Sequence, residues 1–255
     1  MSTTRDEILG KLEQMGTLLN EAFDALSALP DSPPSPFAAG PTVVPEEVTP
    51  ARELTHIERV QLRLKQRWDQ NLEVDGDWGP ISSGACREYL SSLMPSPHPF
   101  PSQKEVRTDK SPYGPRGVKD AYSPPMVKIQ LPFPVYYGNK PRTELAFHPF
   151  CAQAFANAFQ RLHALYPTPE QRRAVGIDIF DGIYNPRNTR GGSTPSMHSY
   201  ACALDLDAEH NGNQTHWPTF SRMPLEVMEC FALEGILPAG AFWNRDAMHF
   251  QATNA

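Results

Sequence analysis

The residues best suited to chemistry in this chain are two histidines and two aspartates in its last quarter. His198 precedes an apolar run, CALDL, that contains Asp205, and His249 follows Asp246 by three residues. An ionised carboxylate inside a strand-like apolar run is costly to bury unless a cation or hydrogen bonds compensate it. Two neutral imidazoles and one carboxylate are a ligand set typical of catalytic zinc. The pattern therefore predicts a metal site made by His198, Asp205 and His249.

The spacing of the first pair requires an irregular backbone. A strand over residues 200–206 would place Asp205 and Asp207 on one face and the apolar side chains on the other. His198 and Asp205 have opposite parity, so the strand must break between residues 199 and 201 before both can face one site. We expect Asp207 either beside the ligands or at the surface as a solvated acid.

The two stretches resemble a known signature. SMHSYACALD (196–205) and DAMHF (246–250) are similar to the zinc D-alanyl-D-alanine carboxypeptidase and L-alanyl-D-glutamate endopeptidase family, whose signature is S-x-H-x-x-G-x-A-x-D followed by [DE]-x-x-H-F. The chain departs from it at Ala201, where the family prefers glycine. Because alanine favours negative φ, we expect this loop to bend differently if the glycine serves a left-handed turn.

The resemblance implies a role for each residue of the motifs. His198, Asp205 and His249 would bind Zn²⁺, which activates water and polarises a carbonyl. Asp246 would be the general base. The hydroxyl of Ser196 would cap or orient the loop of His198, because no relay spaced for a serine nucleophile accompanies it.

Further residues are expected to contact the substrate. The segment GIYNPRNTRGG is similar to the arginine-containing turn of phage-type members, so Arg187 or Arg190 would donate to the developing oxyanion or bind a substrate carboxylate. Ser196 and Trp243 are expected beside the substrate. The order of helical and strand-like runs from residue 126 to 255 predicts an α+β domain with a small antiparallel sheet and flanking helices.

Prolines divide the rest of the chain. They collect in residues 30–50 and 95–125, which we interpret as semi-extended linkers. Residues 1–29 have apolar side chains at steps of three and four, which predicts one amphipathic helix. That helix is either a short coiled-coil or docking arm that allows self-association, or a helix folded back on its own domain.

Residues 51–94 indicate a helix, a tight turn and a second helix. Gly76 and Gly79 would supply positive φ, and Pro80 would begin the second helix. VQLRLK followed by VDGDWGPISSGACREYL is similar to the peptidoglycan-binding domain of cell-wall hydrolases, with Ser82 where threonine is usual. The resemblance implies a wall-binding module, and the alternative is a spacer that shares the turn.

Composition limits the remaining classes. A net charge of −6 without a cluster of Lys and Arg argues against nucleic acid as a partner. No apolar run approaches a membrane span, and the start lacks a signal-peptide pattern, so we expect synthesis in the cytoplasm without membrane insertion. The four cysteines are scattered without a CxxC spacing, which favours reduced packing residues over a disulfide framework.

Together these inferences predict a zinc peptidase that hydrolyses the stem peptide of bacterial peptidoglycan, of the L-alanyl-D-glutamate endopeptidase type. It would act on the wall after release, as a phage lysin does, either free or associated with a virion. The alternatives are a D-alanyl-D-alanine carboxypeptidase and a non-catalytic wall-binding protein.

Overall fold

A computed structural model of the chain describes residues 52–254. The predicted helix over residues 1–29, the linker over 30–50 and the proposed self-association lie outside the described residues. From Arg52 onward the chain forms one compact unit.

The described residues contain helices and short antiparallel sheets, which confirms the α+β class. The helices are α1 (His56–Arg67), α2 (Pro80–Leu93), α3 (Gln103–Val106), α4 (Pro149–Leu165), α5 (Pro169–Val175), α6 (Ala208–Asn211), α7 (Leu225–Ala232) and α8 (Ala239–Trp243). The strands are β1 (Val127–Tyr137), β2 (Lys140–Phe147), β3 (Phe180–Gly182), β4 (Ala203–Leu206), β5 (Leu237–Pro238) and β6 (His249–Gln251).

Two antiparallel sheets organise the fold. β1 and β2 form a hairpin, and the other strands form a four-stranded sheet in the order β3-β4-β6-β5. In that sheet Asp205 lies directly opposite His249, and Leu204 lies opposite Phe250. Residues opposite each other in an antiparallel pair share a face. The register therefore places two predicted ligands on one face and two apolar side chains on the other.

Aromatic side chains fix the apolar face of this sheet. The ring of Phe250 stacks on Phe231 of α7 with centroids 4.0 Å apart. Phe231 in turn contacts Phe155 and Phe159 on the buried face of α4. These rings are fully buried, and their packing holds β6 in the register that positions His249.

The N-terminal helices pack on the rest of the unit through a buried acid. Glu229 of α7 accepts hydrogen bonds from Nε and Nη2 of Arg63 at 2.6 and 2.5 Å. The hydroxyl of Tyr89 also donates to it, at 3.1 Å. Arg63 lies on α1 and Tyr89 on α2, so one carboxylate ties both helices to α7.

The turn between α1 and α2 follows the predicted pattern in part. Gly76 has φ +80°, and α2 begins at Pro80 as expected. Gly79 is extended, with φ −112°, so the prediction of positive φ there was wrong: it caps α2 from the β region. A separate wall-binding module over residues 51–94 remains a prediction.

The proline-rich segment 95–125 differs from the semi-extended linker that we expected. Phe100, Val106 and Tyr113 are buried in it, and the hydroxyl of Tyr113 donates to the carbonyl of Ala252 at 2.6 Å. Proline prevents long helices and strands here, but these apolar side chains still have surface to bury. The segment therefore packs against the sheet and carries the short helix α3.

The last part of the domain contains a helix and one short strand: residues Ala239–Trp243 form α8, and His249–Gln251 form β6. The hairpin partner β2 was not anticipated. All four cysteines are buried, as packing residues would be, and no helix within residues 52–254 has the length and apolarity needed to cross a membrane.

We predict that Arg63→Ala destabilises the protein by about 1–3 kcal/mol, because it leaves Glu229 buried without two of its hydrogen-bond donors. Chemical denaturation measures the free energy of unfolding. Arg161→Ala is the matched control: its ion pair with Glu234 involves an arginine side chain that is 47% exposed, so its loss is expected to be below about 1 kcal/mol. Equal losses in the two variants would contradict the role given to Glu229.

Candidate metal centre

The backbone breaks before β4, as the parity of His198 and Asp205 requires. Residues Met197–Tyr200 form a single 3-10 turn, and β4 starts at Ala203 rather than at residue 200. Between them Ala201 adopts φ +53° and ψ +30°. Our expectation of a different bend was wrong: alanine adopts the left-handed conformation at the position where the related signature has glycine. Such a residue costs about 1–2 kcal/mol, which the surrounding packing must offset.

The three predicted ligands converge on one point. Nε2 of His198 lies 3.1 Å from Nδ1 of His249 and 3.2 Å from Oδ1 of Asp205. The same Asp205 oxygen lies 2.9 Å from Nδ1 of His249. All three residues are buried, and among residues 52–254 they form the one group of acids, cysteines and histidines with spacing suited to a metal ion.

The outer hydrogen bonds of the imidazoles set their tautomers. Nδ1 of His198 lies 2.7 Å from the carbonyl oxygen of Ile183, and Nε2 of His249 lies 3.1 Å from Oε1 of Gln251. Because these oxygens only accept, both outer nitrogens carry the proton of a neutral ring. Nε2 of His198 and Nδ1 of His249 therefore present lone pairs to each other and to Asp205.

This donor set fits a divalent metal. Two nitrogen lone pairs and a carboxylate oxygen within about 3 Å repel one another in a buried site unless a cation lies among them. Tetrahedral zinc with bonds of about 2.0–2.2 Å holds its ligand atoms roughly 3.3 Å apart, close to the separations here.

The pKa shifts of Asp205 and His249 also indicate that positive charge stabilises the cluster. Burial raises the pKa of Asp205, but the charge of His198 and hydrogen bonds from both histidines outweigh it and leave that pKa well below its usual range. Burial lowers the pKa of His249, and the hydrogen bond and charge of Asp205 more than reverse this. Both shifts show that positive charge among these groups is favourable, and because a metal binds the neutral imidazoles, metal and proton compete for the site.

Asp246 lines a cavity whose wall also contains the three predicted ligands. It is 8% exposed, has φ +61°, and its Oδ1 is buried without a hydrogen-bond partner among the described residues. Burial is the main cause that raises the pKa of Asp246, and the charge of Asp205 adds to the effect. An acid whose pKa is moved toward neutrality suits proton transfer.

Residues 190–252 match the family model described as D-alanyl-D-alanine carboxypeptidase. The matched span is about a quarter of the chain and contains all three ligands and Asp246. No curated protein and no solved structure gives a significant match to the chain. The match supports a peptidase of this family, in agreement with the motifs and with the geometry of the cluster.

Two cavities meet at the cluster. The larger, of about 700 Å³, is bounded by the β1-β2 hairpin and by residues 180–185. The smaller, of about 280 Å³, contains Asp246 and His249 in its wall. Arg187, Arg190, His198 and Asp205 line both. Both predicted arginines therefore lie at the junction of the two cavities.

The other predicted contacts lie on the smaller cavity. Ser196 and Trp243 both line it, and the indole of Trp243 stacks on His249 with centroids 5.7 Å apart. Ser196 is the N-cap residue of the turn, as expected, but it acts through its backbone: its carbonyl accepts from the N–H of Ser199 at 2.9 Å, and its hydroxyl makes no capping hydrogen bond. The hydroxyl of Ser199 donates to the carbonyl of Arg187 at 2.7 Å, which ties the turn to the loop that carries the arginines.

Asp207 neither joins the ligands nor lies at the surface. It has φ +52°, and its buried carboxylate accepts hydrogen bonds from Arg222 and Asn211 and contacts His210 at 2.8 Å. The left-handed turn directs its side chain away from the face that carries Asp205. Asp207 fixes the chain after β4 and takes no direct part in the cluster.

Sequence reasoning missed several residues of the site. Gln251 contacts a ligand directly, and its place two residues after His249 on one strand face was the available signal. Arg107, Gln103 and Arg245 also line the smaller cavity. Gln103 and Arg107 come from the segment interpreted as a linker, where the spacing of residues gave no sign of a contact with the site.

We predict that Gln251→Leu lowers metal affinity by about 10–100-fold, because His249 loses the acceptor that fixes its tautomer. Titration calorimetry with Zn²⁺ measures the change. Gln251→Glu, which keeps an acceptor oxygen at this position, should retain affinity within a few-fold. Unchanged affinity in the leucine variant would show that the tautomer does not depend on this bond.

Proposed function

We propose that the protein is a zinc-dependent peptidase that hydrolyses the stem peptide of bacterial peptidoglycan, by endopeptidase cleavage of the L-alanyl-D-glutamyl bond. The observation that carries this proposal is the convergence of His198, Asp205 and His249 inside the span that matches a peptidase family. The position of the cluster between two cavities supports an enzyme that cuts within a chain, because substrate can extend to both sides.

The three ligand atoms would be Nε2 of His198, Nδ1 of His249 and a carboxylate oxygen of Asp205. When bound by these residues, zinc would supply a Lewis acid that can polarise a carbonyl and lower the pKa of water from about 15.7 toward about 7. Trp243, stacked on His249, shields one side of the site from solvent and keeps the imidazole plane fixed.

Asp246 is proposed as the general base. Its unpartnered Oδ1 is free to accept a proton from the attacking water and to deliver it to the departing amine. Burial raises the pKa of Asp246, which makes its carboxylate a stronger base and so favours acceptance of the proton from water. Arg187 and Arg190, at the junction of the cavities, are proposed to donate hydrogen bonds to the carbonyl oxygen as negative charge develops.

A D-alanyl-D-alanine carboxypeptidase is the second candidate. The description of the matched family favours it, and an arginine at the junction would also suit a terminal carboxylate. Digestion of purified peptidoglycan distinguishes the two by mass spectrometry: new amino groups on D-glutamate support the endopeptidase, and release of free D-alanine supports the carboxypeptidase.

We predict that Asp246→Asn retains about one zinc per chain but lowers kcat by roughly 10²–10⁴-fold, since it removes the proton acceptor and leaves the ligands in place. Asparagine tolerates the left-handed backbone of this position, so the turn is expected to persist. His198→Ala, in contrast, should lose the metal. Elemental analysis and a peptidoglycan-release assay provide the two measurements.

Equal zinc loss in both variants would contradict the role of Asp246 as a base. Chelation should abolish hydrolysis by the native protein, and Zn²⁺ should restore it. A purified protein that neither contains zinc nor gains activity when zinc is added would overturn the proposal.

A further inference from the structure

The two cavities that meet at the cluster differ in their chemistry. The smaller is lined by four arginines, Arg107, Arg187, Arg190 and Arg245, and none of them forms an ion pair with a residue in the range 52–254. Arg187, Arg190 and Asp205 lie at the junction and line both cavities. Away from the junction, the smaller cavity has Arg107 and Arg245 with one acid, Asp246, whereas the larger has Lys128 and Arg142 with two acids, Glu144 and Asp181. The part of the smaller cavity beyond the junction therefore has an excess of positive charge, and that of the larger cavity has balanced charges.

The larger cavity also has an exposed aromatic side chain at its rim. Tyr137 ends β1 and pairs with Lys140 across the hairpin turn, and it is 54% exposed. Its ring lies 6.1 Å from that of Phe180, and Phe180 pairs with Leu206 next to Asp205. The backbone N–H of Tyr136 donates to the carbonyl of Asp178 at 2.7 Å, which anchors the hairpin beside the cluster.

These features suit a neutral, polyhydroxylated ligand. Aromatic faces pack against the apolar face of a sugar ring, and charge-balanced polar groups such as the Lys128–Glu144 pair, 2.8 Å apart, offer donors and acceptors to hydroxyl and acetamido groups. A volume of about 700 Å³ is within the range of ~300–1,000 Å³ usual for small-molecule sites. This volume is far larger than the single alanine residue on the amino side of the scissile bond would need.

We propose that the larger cavity is a saccharide subsite that binds the muramyl sugar to which the scissile stem peptide is attached. This inference rests on the proposed function. On the amino side of an L-alanyl-D-glutamyl bond, one alanine separates the bond from the sugar. On the other side, the free α-carboxylate of D-glutamate is adjacent to the bond. The excess of positive charge beyond the junction favours the peptide acids in the smaller cavity, and the balanced charges and Tyr137 favour the sugar in the larger one.

The test compares two soluble substrates with the zinc-loaded full-length protein. Both carry the same stem pentapeptide, which ends in D-alanyl-D-alanine; one is capped at its amino end by a lactoyl group and the other by N-acetylmuramic acid, so both lack the amino charge. We expect kcat/KM to be about tenfold higher for the muramyl substrate, the discrimination that one aromatic contact supplies.

Tyr137→Ala should bring this ratio close to one while it changes kcat/KM for the lactoyl peptide less than about twofold. Tyr137→Phe keeps the ring and should keep the ratio. Phe220→Ala is the matched control, because Phe220 is an aromatic residue that is 76% exposed and lines neither cavity. A native ratio of one, or a ratio that Tyr137→Ala leaves unchanged, would overturn the proposal.

A binding measurement separates failure of this inference from failure of the proposed function. Titration of the protein with N-acetylmuramyl-L-alanine, followed by NMR, requires no hydrolysis. Binding that Tyr137→Ala weakens, in a protein that cleaves neither substrate, would sustain the saccharide site and refute the peptidase. Cleavage of both substrates at equal rates without detectable binding would do the reverse. Release of D-alanine at equal rates would favour the carboxypeptidase and refute the subsite.

Discussion

The site depends on one constraint: the lone pairs of three ligand atoms face one another inside the protein. Nε2 of His198, Nδ1 of His249 and Oδ1 of Asp205 lie 2.9–3.2 Å apart, a geometry that is stable only when a cation is shared among them. The β4-β6 register supplies two of these groups at once, because Asp205 and His249 are direct partners. A slip of one residue would turn His249 to the apolar face. The stacking of Phe250 on Phe231 opposes that slip from the other side of the sheet.

His198, the third predicted ligand, reaches the same face because the backbone between it and β4 is strained. Ala201, Asp207, Asn244 and Asp246 all have φ between +52° and +61°, and each lies in a turn at the edge of the site. Non-glycine residues in this region cost about 1–3 kcal/mol each, so they persist only where packing on both sides fixes the chain. Here the turns bring together residues that strand periodicity alone would separate. The strain is thus a consequence of the way the site is built, from the turn that precedes β4 and from the short strand β6.

The metal donors and Asp246 could be predicted because their residue types and spacing are local properties of two short motifs. The α+β class followed from the order of helical and strand-like runs along the chain. What the sequence did not reveal depends on contacts between distant segments. Ala201 bends as glycine would because neighbouring elements hold it, and Arg107 reaches the smaller cavity because Phe100 and Tyr113 anchor a proline-rich segment against the sheet.

Electrostatics links the site to the anionic substrate that we propose. The chain carries a net charge of −6, which at long range repels an acidic polymer, but this repulsion is screened beyond about 8 Å at physiological ionic strength. The unpaired arginines are concentrated in a concave cavity, where low-dielectric walls strengthen their field over distances shorter than that. Attraction is therefore confined to carboxylates that have already entered the cavity. This arrangement favours recognition of an acidic group beside the scissile bond over general adhesion to the wall, and it leaves attachment of the polymer to uncharged contacts such as those around Tyr137.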